Sequence, residues 1–375
     1  MYTERQKKLA ENNEGQVAAK KERKYYLDNI RVLIILGLFV AHSCEMYHLQ
    51  DGFYIEGAKS LIPTIIYNSL RSWYMATLFL IAGLTTMYSL KKRTIKEYYI
   101  ERCKRLLIPF LAGILLLVPI QSYFVMKNHY GFNGNIFEQY VHFFTTYSDG
   151  FYGYDGGFTP SHLWFLIYLF LISLATIPII RYKSKTTNQI KVKATSLIWF
   201  TLLIYIISYG QSDESPVKYI VFFALGLLLY DNIEFYKLTA KYSWSLLLIG
   251  ISTNICMGFM LMKMDEISVW TVDYAWMRLI WAVSCTTMVF GVIGTGQKYI
   301  NYTNWFFKKL SNCSFAIYFI HMTVLLPVGY FAIKYLNCNV FIQILITMNI
   351  AIIVTILLVE IFKKIPGVRF VLGLK

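Results

Sequence analysis

The sequence predicts an all-α polytopic integral membrane protein, and three observations predict it. Charged residues make up 15% of the 375 positions while 57% are hydrophobic; soluble proteins carry roughly 25% charge. The apolar residues arrive in runs of about 17 to 25, enough at 1.5 Å per helical residue to cross a hydrocarbon core of roughly 30 Å. The loops between the runs alternate in charge, which is the pattern that orients membrane helices.

Ten spans follow from the runs, near 30–47, 65–90, 106–125, 162–181, 195–209, 216–231, 243–262, 273–296, 311–334 and 339–362. One set of loops is basic: the N-terminal KKERK, then KKRTIKEYYIERCKR and RYKSKTTNQIKVK. It continues with the loop of Lys237 and Lys241, the loop of Lys298, Lys308 and Lys309, and the KKIPGVR tail. The other set carries single lysines (Lys59, Lys127, Lys218, Lys263, Lys334) among Asp51, Glu56, Asp149, Asp155, Asp213, Glu214, Asp265 and Glu266. Basic loops stay in the cytosol, so both termini are expected there. Residues 1–24 then read as a polar cytosolic tail without the apolar core of a signal peptide. Residues 25–365 form the membrane domain, and 366–375 a cytosolic C-terminal tail. The net charge of +15 belongs to this topology and does not point to nucleic acid.

The six cysteines show no metal-ligand spacing and no disulfide framework. Most read as small packing residues, with a Cys44–Cys338 bridge as the one conceivable pairing. The stretch 126–161 is dense in Tyr, Phe, Gly and Asn and too rich in turn formers for a domain of its own. It can line an outward-facing cleft or form an interfacial aromatic belt.

The candidate chemistry begins on the first span. Arg31 and His42 are eleven helical steps apart, about three full turns, so they share a stripe and stand about 16 Å apart along the axis. Asp28 and Glu45 fall on the same stripe at three-residue offsets. A polar line from the membrane surface to its middle is costly and marks a functional site by default. A neutral imidazole at that depth can serve as general base or nucleophile, with Glu45 orienting it. The competing account has Arg31 snorkelling to headgroups and His42 bonding between helices. Arg71 lies inside the second apolar run and needs an acid, carbonyls or a bound anion. Arg102 and Arg105, three apart before the third span, make with nearby lysines an electropositive mouth for a phosphate-bearing ligand, or a plain topology signal. His162 and Trp164 open the fourth span, and Tyr318 and His321 lie within the ninth, as acceptor-site or structural polar residues. Metal-protease, nucleotide-loop and serine-hydrolase motifs are absent.

These segments, in this order, resemble the membrane acyltransferase family 3, whose members O-acylate envelope polysaccharides and include a glucan succinyltransferase branch. The likeness rests on Arg31 to His42, RSWYMATLFLIAGL, ERCKRLLIPFLAG, SHLWFLIYL and SFAIYFIHMTVL, over roughly residues 25 to 335. The resemblance implies transfer of an acetyl or succinyl group from a cytosolic acyl-CoA, usually acetyl-CoA, to a hydroxyl of an extracytoplasmic glycan. It also implies a multi-pass protein of the bacterial cytoplasmic membrane with no permanently bound cofactor. It maps the family's first-span Arg and His onto Arg31 and His42, and its paired arginines onto Arg102 and Arg105. Ala76 stands where the glucan branch often has Pro, and no esterase-like domain is appended. The resulting expectation has catalysis at His42 with Glu45, and donor binding at Arg31, Arg71, Arg102 and Arg105. A glycan or small-molecule transporter is the rival class, though no repeated pair of broken helices supports it.

Overall fold

The computed structural model describes residues 24–50, 52–148, 154–186, 190–211, 215–261 and 268–374. Most of the N-terminal tail and the acidic loop positions Asp51, Asp149, Asp213, Glu214, Asp265 and Glu266 lie outside them. Among the described residues the protein is all helical, with a single isolated bridge between Tyr147 and Phe158. A chain in hydrocarbon must satisfy its backbone polar groups within each segment, and helices do so.

In chain order the helices are α1 (Tyr25–Glu45), α2 (Leu61–Arg71), α3 (Tyr74–Leu90), α4 (Ile95–Arg102), α5 (Ile108–Leu116), α6 (Val118–His129), α7 (Ile136–Thr145), α8 (Trp164–Ala175) and α9 (Ile177–Lys185). There follow α10 (Ala194–Ser208), α11 (Pro216–Leu229), α12 (Ile233–Lys241), α13 (Ser243–Leu261), α14 (Val272–Tyr299), α15 (Trp305–Tyr335), α16 (Val340–Phe362) and α17 (Pro366–Val371). Among the described residues, seven helical segments are long and apolar enough to span a bilayer, or up to nine if each of two bent pairs counts as one span. The pairs bend by 49° between α8 and α9 and by 113° between α11 and α12. Pro178, which lacks an amide donor, opens α9, and Asn232 caps α12 by accepting from the Phe235 amide. The remaining segment read as a span, α10, has only 15 residues, about 22 Å of helix. The sequence expectation of ten is therefore not reached by length alone.

α1 is the organising element. It packs on α2, α3, α14, α15 and α16, and its start is tied down by Asn29, whose amide donates to the Ile300 and Tyr302 carbonyls at 2.7 and 2.8 Å. Between helices α3 and α11, small residues allow close approach. A Cβ on Gly83 would meet the Phe223 carbonyl, and one on Gly226 that of Leu80. Asn254 accepts from both Ser72 and Ser284, tying the α2–α3 junction to α13 and α14. Such bonds hold helices together where lipid and core are equally apolar.

Two stretches outside the predicted spans also hold helices. The turn-rich stretch 126–161 contains the helix α7, started by a reciprocal cap between Asn135 and Glu138. The C-terminal tail contains α17. The cysteines are all free, with Cys44 buried and Cys338 exposed, so the conceivable bridge is not formed.

Candidate active site

The C-terminal half of α1 carries His42 and Glu45 into a cavity of about 300 Å³. Seven residues singled out in the sequence line it together: His42, Glu45, Arg71, His162, Trp164, Tyr318 and His321. They come from four separate chain regions, and the helix packing around α1 brings them to one place.

Tautomers follow from the hydrogen-bond partners, since carbonyls and carboxylates can only accept. His42 Nδ1 lies 2.8 Å from Glu45 Oε2, so Nδ1 carries a hydrogen, and in the neutral ring the lone pair is on Nε2. His321 Nδ1 lies 2.5 Å from the Tyr318 carbonyl, which places a hydrogen on Nδ1 there too; its Nε2 is buried and has no hydrogen-bond partner among the described residues. His162 is the opposite case. Its Nε2 donates to the Phe319 carbonyl at 3.1 Å, and its Nδ1 receives Gln121 Nε2 at 3.3 Å. Both of its nitrogens are engaged, which gives His162 a holding role. The rings of His42 and His162 lie 5.6 and 5.3 Å from that of His321. Among the described residues no group of three or more His, Cys, Asp or Glu is arranged to hold a metal.

Several contributors were invisible in the sequence. Ser161 Oγ bonds both the Tyr54 hydroxyl at 2.8 Å and Gln121 Oε1 at 2.7 Å. The amide oxygen must take Ser161's proton, so Tyr54 donates to Ser161. Ser161 holds a left-handed backbone, φ 49°, a strained conformation for a residue with a side chain. Phe53, Tyr54, Tyr67 and Tyr154 give the cavity aromatic walls. His48 also lines it, and burial holds its imidazole below the ordinary histidine range. Of these walls only Tyr154 falls within the aromatic stretch 126–161 marked in the sequence.

The four arginines expected at the donor site do not cluster. Arg71 stands in the last turn of α2, where a cation suits the helix dipole, and lines the same cavity as His42. Arg31 is half-buried and pairs with Asp28 at 3.2 Å. Arg102 donates to Thr86 at 3.1 Å and lies over the Tyr98 ring at 4.9 Å. Arg105 is exposed and pairs with Glu101 at 2.9 Å. The shared face expected for Arg102 and Arg105 is lost because Cys103–Leu107 forms a π-helical turn. Its wider i→i+5 winding moves a three-residue neighbour off the stripe, and such turns frequently mark functional sites. Between Arg31 and His42 the same face of α1 presents Ile35 and Leu38, both buried. Packed apolar side chains thus divide the two polar ends of the stripe.

A family profile described as an acyltransferase domain, Acyl_transf_3, matches residues 24–360. The chain belongs to this acyltransferase family. The acyltransferase is similar to proteins named Glucans biosynthesis protein C from Salmonella typhi, Salmonella typhimurium and Salmonella enteritidis PT4. Each is 22% identical over 378 residues, covering 93% of this chain and 94% of the relative. No solved structure matches it. The acyltransferase is thus a multi-pass membrane enzyme whose matched region takes in both the His42 cavity and the arginine-bearing end.

Proposed function

We propose that this acyltransferase moves an acetyl or succinyl group from a cytosolic acyl-CoA to a hydroxyl of an extracytoplasmic glycan across a bacterial cytoplasmic membrane. The observation that carries the reading is the His42–Glu45 pair, which leaves His42 Nε2 bare in a cavity with aromatic walls. His42 Nε2 takes the proton of the acceptor hydroxyl as its oxygen attacks the thioester carbonyl. The carbon–sulfur bond then breaks, the departing thiolate recovers the proton, and Glu45 balances the transient imidazolium.

The orientation draws support from the charge pattern. Lys24 sits over Tyr236, Lys91 over Tyr230, Lys183 pairs with Asp231, and Lys309 pairs with Glu360, so the basic loops gather at one end. With that end in the cytosol, both termini are cytosolic and the His42 cavity faces outward. The donor's phosphates meet Arg102, Arg105 and neighbouring lysines, with Arg31 next inward. The acyl arm must displace Ile35 and Leu38 to reach His42. The aromatic cavity walls suit sugar rings, and the relatives named for glucan biosynthesis favour a glycan acceptor.

The experiment is release of free CoA by purified protein in lipid, given acyl-CoA and a glucan oligosaccharide, with His42→Ala alongside. Acceptor-dependent release that vanishes in the variant is expected. A folded, fully active His42→Ala protein would overturn the assignment.

A further inference from the structure

Beside the polar cavity, α1 borders a second space of about 360 Å³, between itself, the α2–α3 junction, α13 and α14. α1 contributes Ile30, Ile34, Gly37 and Ala41, a stripe about 100° around the helix from the Arg31–His42 line. The groove therefore runs about 16 Å alongside the path between those two residues.

Its chemistry is that of a hydrocarbon host. The Thr295 hydroxyl is spent on the Gly291 carbonyl at 2.7 Å, and Trp244 Nε1 on the Tyr299 hydroxyl at 2.9 Å. A sugar, a nucleotide or a pantetheine amide would lose its water there and gain little in return. An alkyl chain would lose nothing.

Two observations connect the groove to the reaction. Tyr74 lines both the groove and the His42 cavity, so this one residue borders both spaces. Gly37 lies in the interior of α1, where glycine is unfavourable, and a Cβ built on it meets nothing within 4 Å. Neither close helix packing nor a left-handed backbone calls for glycine at this position. What the missing side chain provides is depth in the groove.

We infer that the groove is the sleeve for an alkyl tail on the transferred acyl group, with Gly37 setting its depth and Tyr74 its entrance. This rests on the acyl-transfer reading and widens the donor class from acetyl and succinyl to acyl-CoAs of medium chain length. The thioester carbonyl stands at His42, and the tail turns past Tyr74 and lies along α1.

The test uses purified full-length protein in phosphatidylglycerol nanodiscs with acetyl-, butanoyl- and octanoyl-CoA and a glucan oligosaccharide, wild type against Gly37→Phe. Octanoyl transfer by the wild type is expected, with the octanoyl-to-acetyl ratio of kcat/KM falling at least about tenfold in the variant. No octanoyl transfer by an enzyme that uses acetyl-CoA, or an unchanged ratio, overturns the inference and leaves the groove to a resting membrane lipid. Binding of the unreactive thioethers S-octyl-CoA and S-ethyl-CoA is measured in parallel. If no donor turns over, the acyl-transfer reading fails on its own, while equal thioether affinities in wild type and variant still overturn the sleeve.

Discussion

The hydroxyl of Tyr318 donates to the backbone carbonyl of His162 across 2.5 Å, while His162 Nε2 returns a bond to the carbonyl of Phe319. This reciprocal pair clamps the strained Ser161 turn onto α15 and holds one wall of the His42 cavity. Tyr318→Phe leaves a buried carbonyl unpaired, at a cost of about 1–3 kcal/mol. A lower thermal unfolding temperature is expected, with the acceptor KM rising more than the donor KM. Unchanged stability with unchanged acceptor KM would refute the clamp.

His42 and Glu45 are expected to differ in kind. His42→Ala removes the base, and loss of transfer by about 10²–10⁴-fold is expected with donor binding retained. Glu45→Gln keeps an acceptor for Nδ1–H but removes the charge that balances imidazolium. A fall in kcat at nearly constant KM for both substrates is the expected result, read from steady-state CoA release. Equal KM increases would instead mark Glu45 as a binding residue.

Arg102 and Arg105 are expected to be unequal, although three residues apart. Arg102 turns inward to Thr86 and Tyr98, whereas Arg105 stays exposed beside Glu101. Arg102→Ala should raise the apparent KM for acyl-CoA several-fold more than Arg105→Ala. Matching effects would return both to one docking face.

Leu38 floors the cavity and is 1% exposed. Leu38→Ala opens the apolar division between Arg31 and His42 and costs about 2–5 kcal/mol of packing by analogy with soluble cores. Faster acyl-CoA hydrolysis without acceptor is expected, because water gains the thioester. If acceptor-free hydrolysis stays at the wild-type level in a folded Leu38→Ala protein, the plug is not what guards the donor.

Much of this protein was legible along the chain, and the reason is local. Hydropathy and loop charge are sums over neighbouring residues, so the membrane class and the Arg31–His42 stripe on one continuous helix could be read directly. The contact of Glu45 with His42 is likewise an intrahelical three-residue relation. The number of spans was less legible: the 113° turn after Leu229 and the short α10 depend on capping and packing against neighbours. The divergence of Arg102 from Arg105 hangs on a π turn that leaves no periodic mark in CKRLL.

Tertiary structure alone decided which histidine is held at both ring nitrogens. All three carry the same side chain in apolar surroundings, so residue type and depth do not separate them. The difference lies in partners far off in sequence for His162, which meets Gln121 and Phe319, and one helical turn away for His42 and His321. A histidine's tautomer is set by the carbonyl, carboxylate or amide beside it; for His162 those neighbours, Gln121 and Phe319, exist only once the helices have packed.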